Sequence, residues 1–123
     1  MPRVLIVEDE PLIAMLVEDW LAELEYETVG PAATAEHALA LIDDALDGAI
    51  LDVSLDGHDS FAVAAALRER AIPFAFATGH ANDRIEDRFR DAPKLAKPYD
   101  FERVKNVLAV LFKNGTAPSR PAG

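Results

Sequence analysis

Four short stretches of the chain carry side chains able to do chemistry together. Glu8-Asp9-Glu10 follows the apolar run Val4-Leu5-Ile6-Val7, Asp52 follows Ile50-Leu51, Thr78 precedes Gly79, and Lys97 precedes Pro98. Gathered at one edge of a fold, the carboxylates of Glu8, Asp9 and Asp52 would repel one another unless a cation sat among them. A hard divalent ion with oxygen ligands answers that need, and Mg²⁺ takes one or two carboxylates plus water and phosphate oxygens. Lys97 adds a point charge suited to a phosphoryl oxygen, and Thr78 adds a hydroxyl donor. Asp52 would then have what a phosphoryl acceptor requires: a nucleophilic carboxylate, a metal, and two donors for the oxygens around phosphorus.

Each stretch also has an ordinary reading. Acids at the start of a helix gain about 0.3–1 kcal/mol each from its positive end, so Glu8, Asp9 and Glu10 taken alone suit a helix N-terminus. An Asp ending a strand is commonly a turn residue, Lys97-Pro98 suits a strand-ending turn, and Thr78-Gly79 suits a loop. It is their joint placement that favours a site. Lys94 reads as a solvated surface charge and His37 as an exposed helix residue. His58 and His80 read as loop histidines near the site, and the three histidines have no ligand spacing. Ala62 to Ala66 reads as close packing of a helix on a sheet.

The 123 residues suit one domain, and with 50% of them apolar a real core is available. Twelve Lys and Arg against 22 Asp and Glu leave a net charge of −10, which excludes nucleic-acid binding through a general basic surface. Without cysteine there are no disulfides, no thiolate chemistry and no cysteine-ligated zinc. No apolar run approaches the roughly 18 residues of a membrane span, and the start turns acidic too soon for a leader. A cytoplasmic, monomeric protein is expected.

The pattern alternates strand and helix five times. Arg3 to Val7 reads as a strand, and Pro11 starts a helix whose stripe runs from Leu12 to Leu24. Thr28-Val29 is a second strand ended by Gly30-Pro31, and Thr34 caps a helix with Ala35, Ala38, Leu39 and Ile42 on one face. Gly48 to Asp52 is a third strand, Val53 to Asp59 a loop, and Phe61 to Arg70 a helix. Ile72 to Thr78 is a fourth strand, Ile85 and Phe89 mark a short polar helix, and Leu95-Ala96 is a fifth strand. Phe101, Val104, Leu108 and Leu111 face the core from a last helix, and residues 114–123 read as a frayed tail. Such alternation implies a doubly wound, five-stranded parallel α/β sheet with ligands beyond the carboxyl ends of the strands. Glu8, Asp52, Thr78 and Lys97 all fall at those ends.

Val4 to Asp9, Ile50-Leu51-Asp52, Ala77-Thr78-Gly79 and Lys97-Pro98 together resemble the receiver domain of two-component response regulators, over roughly residues 2–113. The resemblance implies the flavodoxin-like (βα)5 fold with strand order 2-1-3-4-5, and Asp52 as acceptor of a phosphoryl group from a sensor histidine kinase or a histidine phosphotransferase. It further implies a Mg²⁺ ion held directly by Asp9, by Asp52 and by the backbone carbonyl of Ser54, with Glu8 acting largely through water. Thr78 would move to the phosphoryl group, Lys97 would pair with it, and the Lys97–Pro98 bond would be cis. The run Pro73 to Gly79 is similar to the FATGUY subgroup, often single-domain regulators of alphaproteobacteria. With no output domain expected, signalling would pass through protein contacts or relay to another histidine.

The chain departs from the receiver pattern at several positions. Asp56 stands where most receivers have Pro, and Lys94 where most have Phe or Tyr, so the usual aromatic switch is absent. His80 and Ala81 differ from the subgroup's usual residues. Competing functions fare worse on the residues. A haloacid dehalogenase-type phosphohydrolase needs a second Asp two positions after the first, where Ser54 stands. A flavin mononucleotide-binding module needs a neutral, donor-rich first loop, which Glu8-Asp9-Glu10 is not. A degenerate receiver that binds without phosphorylation would be expected to have lost the site residues that are present here.

Overall fold

A computed structural model of the chain describes residues 1–55, 57–79 and 84–113. Five parallel strands form one sheet: β1 (Arg3–Val7), β2 (Glu27–Ala32), β3 (Gly48–Asp52), β6 (Phe74–Thr78) and β7 (Lys94–Ala96), in the order β2-β1-β3-β6-β7. Counting the strands of this sheet alone, that is the expected order 2-1-3-4-5. Helices α1 (Pro11–Glu23) and α4 (Phe101–Leu111) cover one face, and α2 (Ala35–Leu41) and α3 (Phe61–Glu69) the other. Among the described residues no helix is long and apolar enough to cross a membrane.

Alternation along the strands builds the two cores. In β1, Val4 and Ile6 join Val17, Leu21, Val104 and Leu108 on the α1–α4 side, while Leu5 and Val7 join Val63, Leu67 and Phe76 on the other. Both faces are covered, so β3 is buried at every position. Thr34 caps α2 by accepting from the His37 N–H (3.1 Å), leaving the His37 side chain outside. Asp100 caps α4 in the same way through the Arg103 N–H (2.9 Å). In α3, Val63, Ala64 and Leu67 face the core, whereas Ala62 points to solvent, so only part of the alanine run packs closely.

The structure corrects the pattern at several further points, among them the stripe of α1, whose Leu12 and Leu16 lie exposed. β2 does not end at Gly30-Pro31 but runs through that cis bond to Ala32. It is an edge strand, where a proline without N–H is tolerated, and Gly30 takes a φ of +92° closed to most side chains. The Val53–Asp59 loop contains a small antiparallel hairpin, β4 (Ser54–Leu55) with β5 (His58–Asp59). Between β6 and β7 the described residues hold a single 3-10 turn, Asp87–Phe89, rather than a fifth α-helix.

One plug replaces a helical stripe there. Phe89, fully buried, stacks on Phe61 (5.8 Å between centroids) and meets the edges of Phe74 and Phe76 (6.0 Å each). The Arg68 guanidinium lies over Phe74 and Phe89 and donates to the Arg88 carbonyl at 2.6 Å. Lys94, exposed as expected, also donates to the carbonyls of Arg90 and Ala92, both at 2.8 Å, and so ties down the end of the turn. The positions singled out at Asp56, His80 and Ala81, and the tail at 114–123, lie outside the described residues.

Candidate functional site

Parallel register delivers the site. Val7 pairs with Leu51, so Glu8 and Asp52 emerge side by side, and Asp52 in turn pairs with Ala77, the residue before Thr78. Thr78 pairs with Ala96, which sets Lys97 one step beyond. The Lys97 N–H donates to the Thr78 carbonyl (2.8 Å), and the Glu8 N–H donates to the Ala32 carbonyl (2.9 Å). The extension of β2 past its proline is thus what anchors the main chain of Glu8.

Carboxylate oxygens of Glu8, Asp9 and Asp52 lie within 4.8 Å of one another. Glu8 and Asp52 are buried and Asp9 is half-buried. The Lys97 ammonium stands among them, 2.9 Å from Asp52 Oδ2 and 3.1 Å from Glu8 Oε1, with Glu10 at 3.6 Å. The helix-cap reading of this acidic run fails: Glu10 occupies the N-cap of α1 without a side-chain cap bond, and Glu8 turns inward. Glu8 Oε2 instead accepts from the Glu10 N–H at 3.1 Å.

Burial, reinforced by the charge of Asp52, pushes the Glu8 carboxyl up to about 7 against the pull of Lys97 and the Glu10 N–H. Burial alone would lower the Lys97 ammonium, but hydrogen bonds and attraction from Asp52 and Glu8 outweigh it and hold the group at about 12. Glu8 therefore sits in a carboxylate cluster that one lysine only partly neutralises. An all-oxygen donor set of three carboxylates, with no histidine or cysteine in it, fits a hard cation such as Mg²⁺ and not zinc.

Every residue expected at the site lies at this edge of the sheet. Thr78 ends β6 half-buried, and Ser54 opens β4 two residues after Asp52. The Lys97–Pro98 bond is cis. Two contributors escape the sequence reading. The Tyr99 hydroxyl donates to Glu8 Oε1 at 3.3 Å, and burial followed by the nearby acids raises its pKa. Ser60, fully buried, donates through its hydroxyl to the main-chain carbonyl of Asp52 at 2.6 Å. Tyr99 stands two positions past Lys97, which is a usable signal, whereas nothing local marks Ser60.

A doubly wound parallel sheet with an acidic cluster and a lysine at the carboxyl ends of its strands defines the class. The chain matches the sequence model of the response regulator receiver domain over residues 4–109 and belongs to that family of two-component signalling proteins. Among solved structures it is similar to SdrG from Sphingomonas melonis Fr1, at 50% identity and a TM-score of 0.80, covering 90% of this chain and 96% of that one. It is also similar to TrrA from Thermotoga maritima in complex with Mg²⁺ and BeF, at 28% identity and a TM-score of 0.78, covering 90% and 99%. The transcriptional regulatory protein TcrA of Mycobacterium tuberculosis is 36% identical over an alignment that covers 97% of this chain and 49% of TcrA. The chain spans about half the length of the curated relatives it matches.

Proposed function

We propose that the protein takes a phosphoryl group onto Asp52 from a phosphohistidine of a sensor kinase or a histidine phosphotransferase, with Mg²⁺ held by Glu8, Asp9, Asp52 and the Ser54 carbonyl. One observation carries the reading: the Asp52 carboxylate lies 2.9 Å from the Lys97 ammonium inside a cluster of three carboxylates. A carboxylate oxygen of Asp52 attacks phosphorus, the phosphorus–nitrogen bond of the donor breaks, and the imidazole keeps the electron pair. The product is an acyl phosphate on Asp52. Lys97 exchanges its carboxylate partner for a phosphoryl oxygen, and the Thr78 hydroxyl donates to another. Bound Mg²⁺ supplies neutralisation of the negative charge shared by the phosphoryl oxygens and the acids.

Beside the site, α1 exposes Leu12 (75%), Met15 (58%) and Leu16 (49%), an apolar surface suited to a helical donor protein. The response then passes to a downstream protein through surface contacts or to another histidine by relay, within the cytoplasm. The test is intact mass after incubation with a small phosphoryl donor, with and without Mg²⁺, beside Asp52→Asn. The expected result is a gain of one phosphoryl group that needs both Mg²⁺ and Asp52. Equal uptake by Asp52→Asn would reject the assignment.

A further inference from the structure

The acceptor Asp52 is the last residue of β3, and the chain leaves it at once for the β4–β5 hairpin before returning at Ser60. Ser60 closes the neck of that excursion. Its N–H donates to the Val53 carbonyl (3.0 Å), and its hydroxyl donates to the Asp52 carbonyl (2.6 Å), with the Val53 carbonyl at 3.4 Å. Its own carbonyl accepts from Val63 and Ala64 at the start of α3. Ser60 stands at the N-cap of α3, where a serine hydroxyl ordinarily accepts from the helix N–H groups, yet it makes no such bond. The hydroxyl is spent on the acceptor's peptide instead, in a position with no exposure to water.

Across the neck, the Val53 N–H donates to the Ala77 carbonyl at 3.1 Å. The Asp52–Val53 peptide is therefore held from both sides, by β6 and by Ser60, and the Val53–Ser54 peptide from the Ser60 side. Those planes set where the Asp52 side chain projects and where the chain enters Ser54.

We infer that Ser60 is a positioning residue: its buried hydroxyl holds the Asp52 carbonyl, beside its own N–H on the Val53 carbonyl, and thereby aims the Asp52 carboxylate at the site. The inference rests on the reading of that site as a Mg²⁺-dependent acceptor. Ser60 touches neither metal nor phosphoryl group, so its removal leaves the chemistry possible but loosens its geometry. Groups that orient metal ligands change affinity by about 10–100-fold when lost, and an indirect clamp belongs at the low end.

The experiment compares Ser60→Ala with wild type and with Val63→Ala, which loosens α3 from the core and leaves the Ser60 hydroxyl in place. Calorimetric titration with Mg²⁺ reads the site, and the ¹³C shift of the Asp52 carbonyl reads the clamp. Ser60→Ala is expected to shift the Asp52 carbonyl resonance and weaken Mg²⁺ about tenfold, while Val63→Ala does neither. Should Ser60→Ala not fold, Ser60→Cys keeps the side-chain volume with a weaker donor and takes the same measurements. Unchanged Mg²⁺ affinity in a folded variant lacking the hydroxyl would overturn the inference, as would an equal loss in Val63→Ala. If wild type binds no Mg²⁺, the reading of the site fails instead, and an unmoved Asp52 resonance would then dispose of the clamp separately.

Discussion

Replacing Lys97 by Met keeps the aliphatic stem and removes the cation that, among the described residues, faces both Glu8 and Asp52. Its ammonium lies 2.9 Å from Asp52 and 3.1 Å from Glu8, in a setting where the lysine side chain is 14% exposed and its partners 9% and 2%. Breaking a buried ion group by deleting one member costs about 3–5 kcal/mol, because charge is left buried and unpaired. Here that cost depends on pH. The Glu8 carboxyl titrates near 7 in the fold against 4.5 when unperturbed, so the folded state binds more protons across that window and stability falls as pH rises through it. Lys97 itself contributes fully below its ordinary 10.5 and loses its contribution only as pH passes about 12, so the trend on the acid side belongs to Glu8. Without the lysine, Glu8 protonates at still higher pH and relieves the repulsion by itself. At about pH 8 the Met variant should lose roughly 3 kcal/mol, or about 10 °C in Tm for a domain of this size. At about pH 5, with Glu8 neutral in both proteins, the loss should be less than about half as large. Thermal unfolding followed by circular dichroism at both values gives the comparison. Equal losses at the two pH values, or a more stable variant at the higher one, would refute this account of the cluster.

Asp9→Ala should weaken Mg²⁺ binding by about tenfold or more, since one carboxylate is a large share of a site with so few, and calorimetric titration reads this directly. Phe89→Ala removes the plug between β6 and β7 and should cost about 3–5 kcal/mol in urea unfolding, with no loss of phosphoryl uptake in what remains folded. Leu16→Glu on the exposed face of α1 should change stability by less than about 0.5 kcal/mol. It should leave uptake from a small donor intact while slowing uptake from a histidine donor protein, which parallel time courses with both donors would separate.

Strand and helix periods place Glu8, Asp52, Thr78 and Lys97 at strand ends without coordinates, because side-chain alternation and turn residues are local properties. Their meeting could be argued because parallel α/β topology sends the carboxyl ends of all strands to one edge. The failures share a cause. The end assigned to β2 at Gly30-Pro31 took Gly-Pro as a strand breaker, whereas on an edge strand a proline need not end the ladder. The helix expected around Ile85 and Phe89 supposed that burial needs a stripe. Three aromatic partners from α3 and β6 let a single Phe89 suffice. Lys94 read as a plain surface charge because the carbonyls it holds turn toward it only once the preceding segment is folded.

By itself the sequence determined which residue types are available for chemistry, the order of strands and helices, and the net charge that bars a general nucleic-acid surface. Only the tertiary structure decided how those residues bear on one another. The raised Glu8 carboxyl, the Tyr99 contact and the Ser60 bond to Asp52 link positions 8 to 91 residues apart, or depend on the water excluded around them. Short-range preferences follow from each residue and its neighbours, whereas desolvation and charge coupling exist only after packing has removed the solvent.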